Sequence, residues 1–261
     1  MIEGNEHLHI NVEGPILSCT LNRPDRLNAF SEEMITGLKR AVEEADHNEA
    51  IKVITIAGAG RSFSAGGDVK EMGKATANHI YDHVGELNEL VMAMRNCSKP
   101  IVAIVHGFAA GAGWNVALAC DQILAAEESQ FVLSFAQVGL VADGGGSYFL
   151  TKKLGPYKTK ELLFNAEPIT AEYAKELGLV NRLYAGSELE DQAKAYVQKL
   201  AMGPGRAYEM MKKLVNQAET SDLASVLEQE RIAQTFMIST EDHQEGVQAF
   251  TNKRKPTFTG K

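Results

Sequence analysis

Apolar positions recur along this chain in two alternating rhythms. Leu8 to Val12 and Ile16 to Leu21 flank a Gly14-Pro15 pair, a pattern that predicts two short strands joined as a hairpin. The period then lengthens. Met34, Leu38, Ala41, Val42 and Ala45 fall on one helical face, Ser31 stands where an N-cap belongs, and Glu32 and Glu33 suit the positive end of the helix dipole.

Three further units share one order: a β-branched or apolar run, a glycine-rich turn, then an amphipathic or apolar helix. The first is Val53 to Ala57 leading into Gly58 to Asp68. The second is Ile101 to Val105, then Gly107 to Gly113, then a helix through Cys120. The third begins at Gln122 to Ala126, continues through Phe131 to Leu140, and turns at Asp143-Gly144-Gly145-Gly146 into a helix ending near Gly155. Such alternation predicts an α/β fold with mainly parallel strands backed by helices. From Lys158 onward the pattern is helical, with breaks at Pro168, Gly178, Gly186 and Gly203-Pro204-Gly205, and strands become scarce.

Composition narrows the function. With 261 residues, 44% hydrophobic and 23% charged, the chain can bury a sizeable core without disulfides, and no apolar run approaches the roughly 20 residues that span a bilayer. A soluble protein with no membrane partner is expected. The N-terminal stretch carries Glu3, Glu6, His7 and His9 rather than a basic segment followed by an apolar one, so a cytoplasmic location is expected. Cys19, Cys97 and Cys120 lack the spacing of a zinc or disulfide framework and read as core thiols. A net charge of -8 repels polyanions and argues against nucleic acid as a partner. The last nine residues run the other way: Lys253, Arg254, Lys255 and Lys261 form a basic tail, either a solvated terminus or a contact for the phosphates of a nucleotide-like ligand.

The glycine turns admit three chemistries. Gly107, Gly111 and Gly113 do not match the Gly-x-Gly-x-x-Gly of a dinucleotide cradle, and Phe131 stands where its ribose-binding acid belongs. Ser64 and Ser147 lie outside any Gly-x-Ser-x-Gly elbow. The third possibility is a backbone oxyanion hole. Phe63-Ser64-Ala65-Gly66-Gly67-Asp68 and Ala110-Gly111-Ala112-Gly113 both end a strand with small residues, where main-chain N–H groups can approach a ligand closely. Taken one turn at a time, small residues that merely let helices pack on strands explain as much.

Longer runs carry a resemblance. Leu21-Asn22-Arg23-Pro24 through Leu27-Asn28-Ala29, then Arg61-Ser62-Phe63-Ser64-Ala65-Gly66-Gly67-Asp68, then Lys99-Pro100 through Gly111-Ala112-Gly113, and finally Glu245-Gly246 through Ala249-Phe250 with Lys253-Arg254-Lys255-Pro256 resemble, in order, the motifs of the crotonase (enoyl-CoA hydratase/isomerase) superfamily. The resemblance covers essentially the whole chain. It implies a spiral of ββα units over residues 1–200 and a helical trimerisation region over 201–261, assembled as a homotrimer or a hexamer. It implies an acyl-CoA thioester substrate, with no cofactor beyond the coenzyme A that the substrate carries and no metal. The N–H groups of Gly67 and Ala112 would form the oxyanion hole. Substrate and coenzyme A would lie along Arg26, Asn28, Ala29, Ala65, Gly66, Asp68, Gly111 and Phe135, while Phe250 and Lys253 would reach the nucleotide bound to a neighbouring subunit.

The acid set separates reactions within the family. By the resemblance, hydratases hold and activate water with two glutamates. The matching positions here are Asn115 and Phe135; an amide has no useful basicity near neutrality, and a phenyl ring can neither hold nor activate water. Asp143 remains, at a place similar to that of the single acid in family isomerases that act on enoyl-CoA or ring-epoxyphenylacetyl-CoA. One base can take a proton from one carbon and return it to another. An aspartate before a glycine-rich helix start is equally an N-cap, and its pKa is pulled both ways: down by a helix N-terminus, up by Leu140, Val141 and Ala142.

Other features weigh less. The dehalogenases of the superfamily pair their aspartate with a tryptophan where this chain has Phe135, and the lone Trp114 reads as packing or pocket wall. His79 and His83 stand four apart on a helix without the rest of a zinc signature, and Tyr81 between them is a candidate substrate contact. The expectation is an isomerase that shuttles a proton through Asp143. An enoyl-CoA hydratase of fatty-acid or phenylacetate degradation is the alternative, and a non-catalytic RNA-binding relative is more remote.

Overall fold

A computed structural model describes residues 2–68, 73 and 75–261. The hairpin forms as the alternation requires: β1 (Leu8–Glu13) pairs antiparallel with β2 (Ile16–Leu21), Leu8 opposite Leu21 and Glu13 opposite Ile16. Ser31 caps α1 (Glu32–His47), its Oγ accepting the Met34 N–H at 3.2 Å. The apolar face of α1, from Met34 to Ala45, is buried.

The repeated units then build two sheets at once. β3 (Val53–Gly58), β4 (Ile101–Val105) and β6 (Gln122–Ala126) run parallel to β2 in a six-stranded sheet. Each is followed by a piece of a second layer. After β4 comes β5 (Phe108–Ala110), after β6 comes β7 (Gln130–Val132), and β5 and β7 pair in parallel. After β3 the equivalent piece is one residue, Ser64, bridged to Ala109. This two-layered repetition is the ββα spiral.

Parallel strands buried on both faces read as continuous apolar runs, and side-chain alternation divides them. Ile54, Ile56 and Ala103 face the main core with α1, α2 (Ala77–Asn96) and α3 (Ala112–Ala119). Val53, Val102 and Leu124 face Ala193 and Val197 of α6 (Leu189–Ala201).

One local reading holds and one is refined. α4, Gly146–Asn165, is two helical segments: the first ends near Gly155 as expected, where the backbone takes the non-helical φ 73° and ψ 170°. Glycine tolerates that conformation, and Pro156 then opens the second segment with a φ already suited to a helix start. Strands also persist past Lys158. β8 (Ile169–Thr170) pairs with β7 and precedes α5 (Ala171–Glu176), and β9 (Arg182–Tyr184) extends the main sheet beside β6. Pieces of two and three residues are too short to show a period.

Beyond α6 lie α7 (Gly205–Ala218), α8 (Leu223–Met237) and α9 (Glu241–Thr251). α7 buries none of its residues and α8 only Ala233. Their attachment to the spiral is polar. Lys212 Nζ donates to the carbonyls of Met94 and Lys99 at 3.0 and 3.1 Å and pairs with Asp121 at 2.8 Å, closing the C-terminal end of α2. No helix among the described residues is long and apolar enough to cross a membrane.

Candidate active site

The two glycine turns singled out in the sequence are brought together. A Cβ on Gly66 would lie 2.6 Å from the Ala110 carbonyl oxygen and 2.8 Å from the Ala112 nitrogen, and one on Gly113 would lie 2.7 Å from Ser64 Cβ. The turns are therefore in van der Waals contact, which side chains there would forbid. Gly66, at φ 83°, also needs glycine's freedom. Ser64 holds the first turn: its hydroxyl donates to the Asn28 carbonyl at 2.7 Å and accepts the Gly66 N–H at 3.1 Å.

Gly111 precedes α3 at φ 50° and ψ −126°, so Ala112 is the first helical residue and its N–H has no carbonyl one turn back. Among the described residues the amides of Gly67 and Ala112 donate to no protein acceptor. Phe135 sits in a 3-10 turn, Ser134–Val138, and its ring lies 3.6 Å from where a Gly111 side chain would start. The Ser134 hydroxyl lies 3.8 Å from the same point, so ring and hydroxyl share that wall.

Asp143 approaches from the loop before α4. It is not the helix cap: Gly145 occupies that position, and no side chain caps the helix. Gly144, at φ 51°, packs against Leu87 of α2 and Asn115 of α3, which seats the loop between those helices. The Asp143 carbonyl accepts the Gly146 N–H at 3.0 Å and the Asn115 Nδ2 donor at 2.9 Å. Its carboxylate oxygen Oδ1 is buried with no partner. Burial prevails in the contest over its pKa, pushing the carboxyl up to about 6 against a smaller lowering from its own backbone N–H.

The residues expected to lie along coenzyme A divide. Asn28 is fully buried at φ 55°, donates to the Ala59 and Ser62 carbonyls at 2.8 Å each and accepts the Arg23 N–H at 2.8 Å. Its side chain is committed to shaping the loop, so any ligand contact there belongs to the backbone. Asp68 is nearly buried between Arg23 at 3.4 Å and Arg26 at 3.8 Å, and Arg26 stays half exposed. Ala29 is buried, with its carbonyl held by Arg23 Nη1, whereas Ala65 remains partly open. Phe250, 87% exposed, and Lys253 lie on the outside of the C-terminal layer.

Trp114 is core: it packs against Phe131 at 5.2 Å and is fully buried, so it is not a pocket wall. Tyr81 points to solvent. The His79 and His83 rings stack 6.4 Å apart, and no group of three metal-binding side chains forms among the described residues. Cys19 and Cys97 are buried thiols pushed up to about 12 and about 11 by burial. Sequence reasoning missed the grip of Asn115 on the Asp143 peptide. The available signal was a lone amide in the otherwise apolar helix Ala112–Ala119.

The two glycine turns meet, each with a backbone N–H that has no protein acceptor among the described residues, and the buried carboxyl of Asp143 lies on a loop hydrogen-bonded to the helix that follows the second turn. The chain belongs to the enoyl-CoA hydratase/isomerase family, whose model matches residues 11–261 and whose members act on acyl-CoA thioesters. It is 34% identical over 260 residues to the 1,2-epoxyphenylacetyl-CoA isomerase of Escherichia coli, covering 98% of this chain and 99% of that protein. It is 32% identical over 255 residues to the trans-2-decenoyl-[acyl-carrier-protein] isomerase of Streptococcus mutans, covering 96% and 97%. A solved structure of an enoyl-CoA hydratase from Polaromonas sp. JS666 superposes with a TM-score of 0.92 at 32% identity, covering 96% of this chain and 99% of that one. The fold is that of crotonase.

Proposed function

We propose that this enzyme is an isomerase that moves a double bond along an acyl-CoA. The thioester oxygen sits against the N–H groups of Gly67 and Ala112. Asp143 removes a proton from the carbon next to the thioester, the electron pair delocalises onto that oxygen as an enolate, and the same carboxyl returns the proton two carbons further along. Loss of one oxyanion donor typically lowers a rate about a hundred- to a thousand-fold, so the pair carries much of the barrier reduction. The observation that supports this reading is the buried Asp143 carboxyl with its pKa raised to about 6, in a chain that has an amide, Asn115, and a phenyl ring, Phe135, at the two positions where the family's hydratases hold acids.

Arg26, the backbone from Asn28 to Ala29, Ala65, Gly66 and Asp68 would line the coenzyme A path, and Gly111 and Phe135 the acyl path. The bare apolar faces of α7 and α8 favour assembly as a trimer or a pair of trimers, in which Phe250 and Lys253 of one subunit reach the nucleotide bound to the next. A hydratase is the second reading, favoured by the name of the Polaromonas structure; it would have Asp143 activate water alone. Turnover of 3-enoyl-CoA and 2-enoyl-CoA side by side, with an Asp143→Asn variant, separates the two. Isomerisation without hydration, lost in the variant, supports the first; loss of the conjugated 2-enoyl absorbance on addition of water supports the second.

A further inference from the structure

We infer that Asn115 is a positioning residue that sets the place of the proton-transferring carboxyl relative to the oxyanion amides; this rests on the isomerase reading of Asp143. Ala112 and Asn115 lie three residues apart on α3, one turn of helix. The first presents a backbone donor, and the second donates from Nδ2 to the Asp143 carbonyl at 2.9 Å. One short, wholly buried helix therefore references both halves of the reaction to a single rigid body.

The loop is shaped to receive that amide. A Cβ on Gly146 would lie 2.4 Å from Asn115 Nδ2 and 2.4 Å from Oδ1, and one on Gly144 would lie 3.6 Å from Asn115 Cβ. Asn115 is fully buried, and its Oδ1 has no hydrogen-bond partner. For packing alone an apolar side chain would serve better there, because a half-satisfied buried amide is destabilising. The same closeness bears on reaction type: against Gly146 there is no room for the extra methylene of a glutamate at position 115 unless the Asp143 loop moves.

The test is steady-state isomerisation by Asn115→Leu, which keeps the branched heavy-atom outline but lacks the donor, and by Gly146→Ala, which leaves Asn115 intact and displaces its amide. Melting curves for both confirm folding, and Asp143→Asn is measured in parallel. Since a misplacement of about 1 Å can lower a rate about a hundred-fold, kcat is expected to fall about ten- to a hundred-fold in each variant with KM little changed. Exchange of the carbon-bound proton next to the thioester with deuterated solvent should slow in proportion, a signature that general loosening of the fold would not give. Unchanged kcat and exchange in a folded Asn115→Leu or Gly146→Ala enzyme, alongside an inactive Asp143→Asn, overturns the positioning role and leaves the isomerase reading in place. Full activity in Asp143→Asn overturns both.

Discussion

The spiral core and the C-terminal layer use opposite chemistries on similar secondary structure. In the core most large apolar side chains are buried, and the buried polar groups include Ser64, Asp68 and Asn115 at the glycine turns and the unpaired Oδ1 of Asp143. In the layer formed by α7, α8 and α9 the apolar side chains are on the outside: Met211, Val215, Leu227, Ile232 and Phe236 are exposed, and a groove of about 690 Å³ opens between the helices beside Met210, Leu214 and Met237. Tethering of that layer falls to polar contacts such as those of Lys212. None of Gly67, Ala112 and Asp143 lines that groove. The buried, unpaired Asp143 carboxyl marks a candidate place for reaction, whereas uncovered apolar area marks a candidate place for contact.

That contrast breaks most sharply at Asp143. On the proposed reading, Asp143→Asn should lower isomerisation turnover by about a thousand-fold, the middle of the roughly hundred- to ten-thousand-fold range that a single general acid–base contributes. A folded-state pKa raised to about 6 means that the charged form is disfavoured by folding. Its contribution to stability is fully present below the unfolded pKa and is lost as pH rises through about 6. Asp143→Asn should therefore raise Tm at pH above about 7 and have little effect below about pH 4; calorimetry at both ends checks the sign.

Gly66→Ala comes next. Its methyl would collide with the Ala110 carbonyl and the Ala112 nitrogen at a backbone angle glycine favours, so the two amides should separate and kcat should drop about a hundred-fold. The pH dependence of kcat/KM should show the ionised carboxyl at work, declining about tenfold per unit as pH falls below about 6 and flat above it until other groups titrate.

In the other region, Lys212→Met should lower stability by about 2 kcal/mol, because Asp121 and the carbonyls of Met94 and Lys99 lose a nearly buried partner. Denaturant unfolding should show this with isomerase kcat nearly unchanged. The smallest effect on intrinsic stability, within about 0.5 kcal/mol, belongs to Phe236→Ser on the exposed face of α8. It should instead reduce assembly, as sedimentation would show. A variant that stays fully assembled would remove α8 from the contact surface and sharpen the division between the regions.

Much of the fold was legible because its determinants are local and periodic. The hairpin, α1 with its Ser31 cap, and the order strand, glycine turn, helix all rest on spacings visible within a dozen residues, and the motif resemblance pointed to the same spiral. What escaped notice was short or non-local. β8 and β9 exist because neighbours already present a strand edge.

At the site the division is sharper. The sequence by itself determined which atoms are available: an aspartate, no paired glutamates, and glycines at the two turns. Only the tertiary structure decided that Asp143 is not a cap, that burial outweighs its backbone hydrogen bond, that Trp114 belongs to the core, and that Asn115 holds the acid's peptide. Desolvation and hydrogen-bond geometry depend on what lies across the fold, here Asn115 of α3 and Leu87 of α2 against Gly144, 29 and 57 residues away in the chain, and no local pattern encodes that distance.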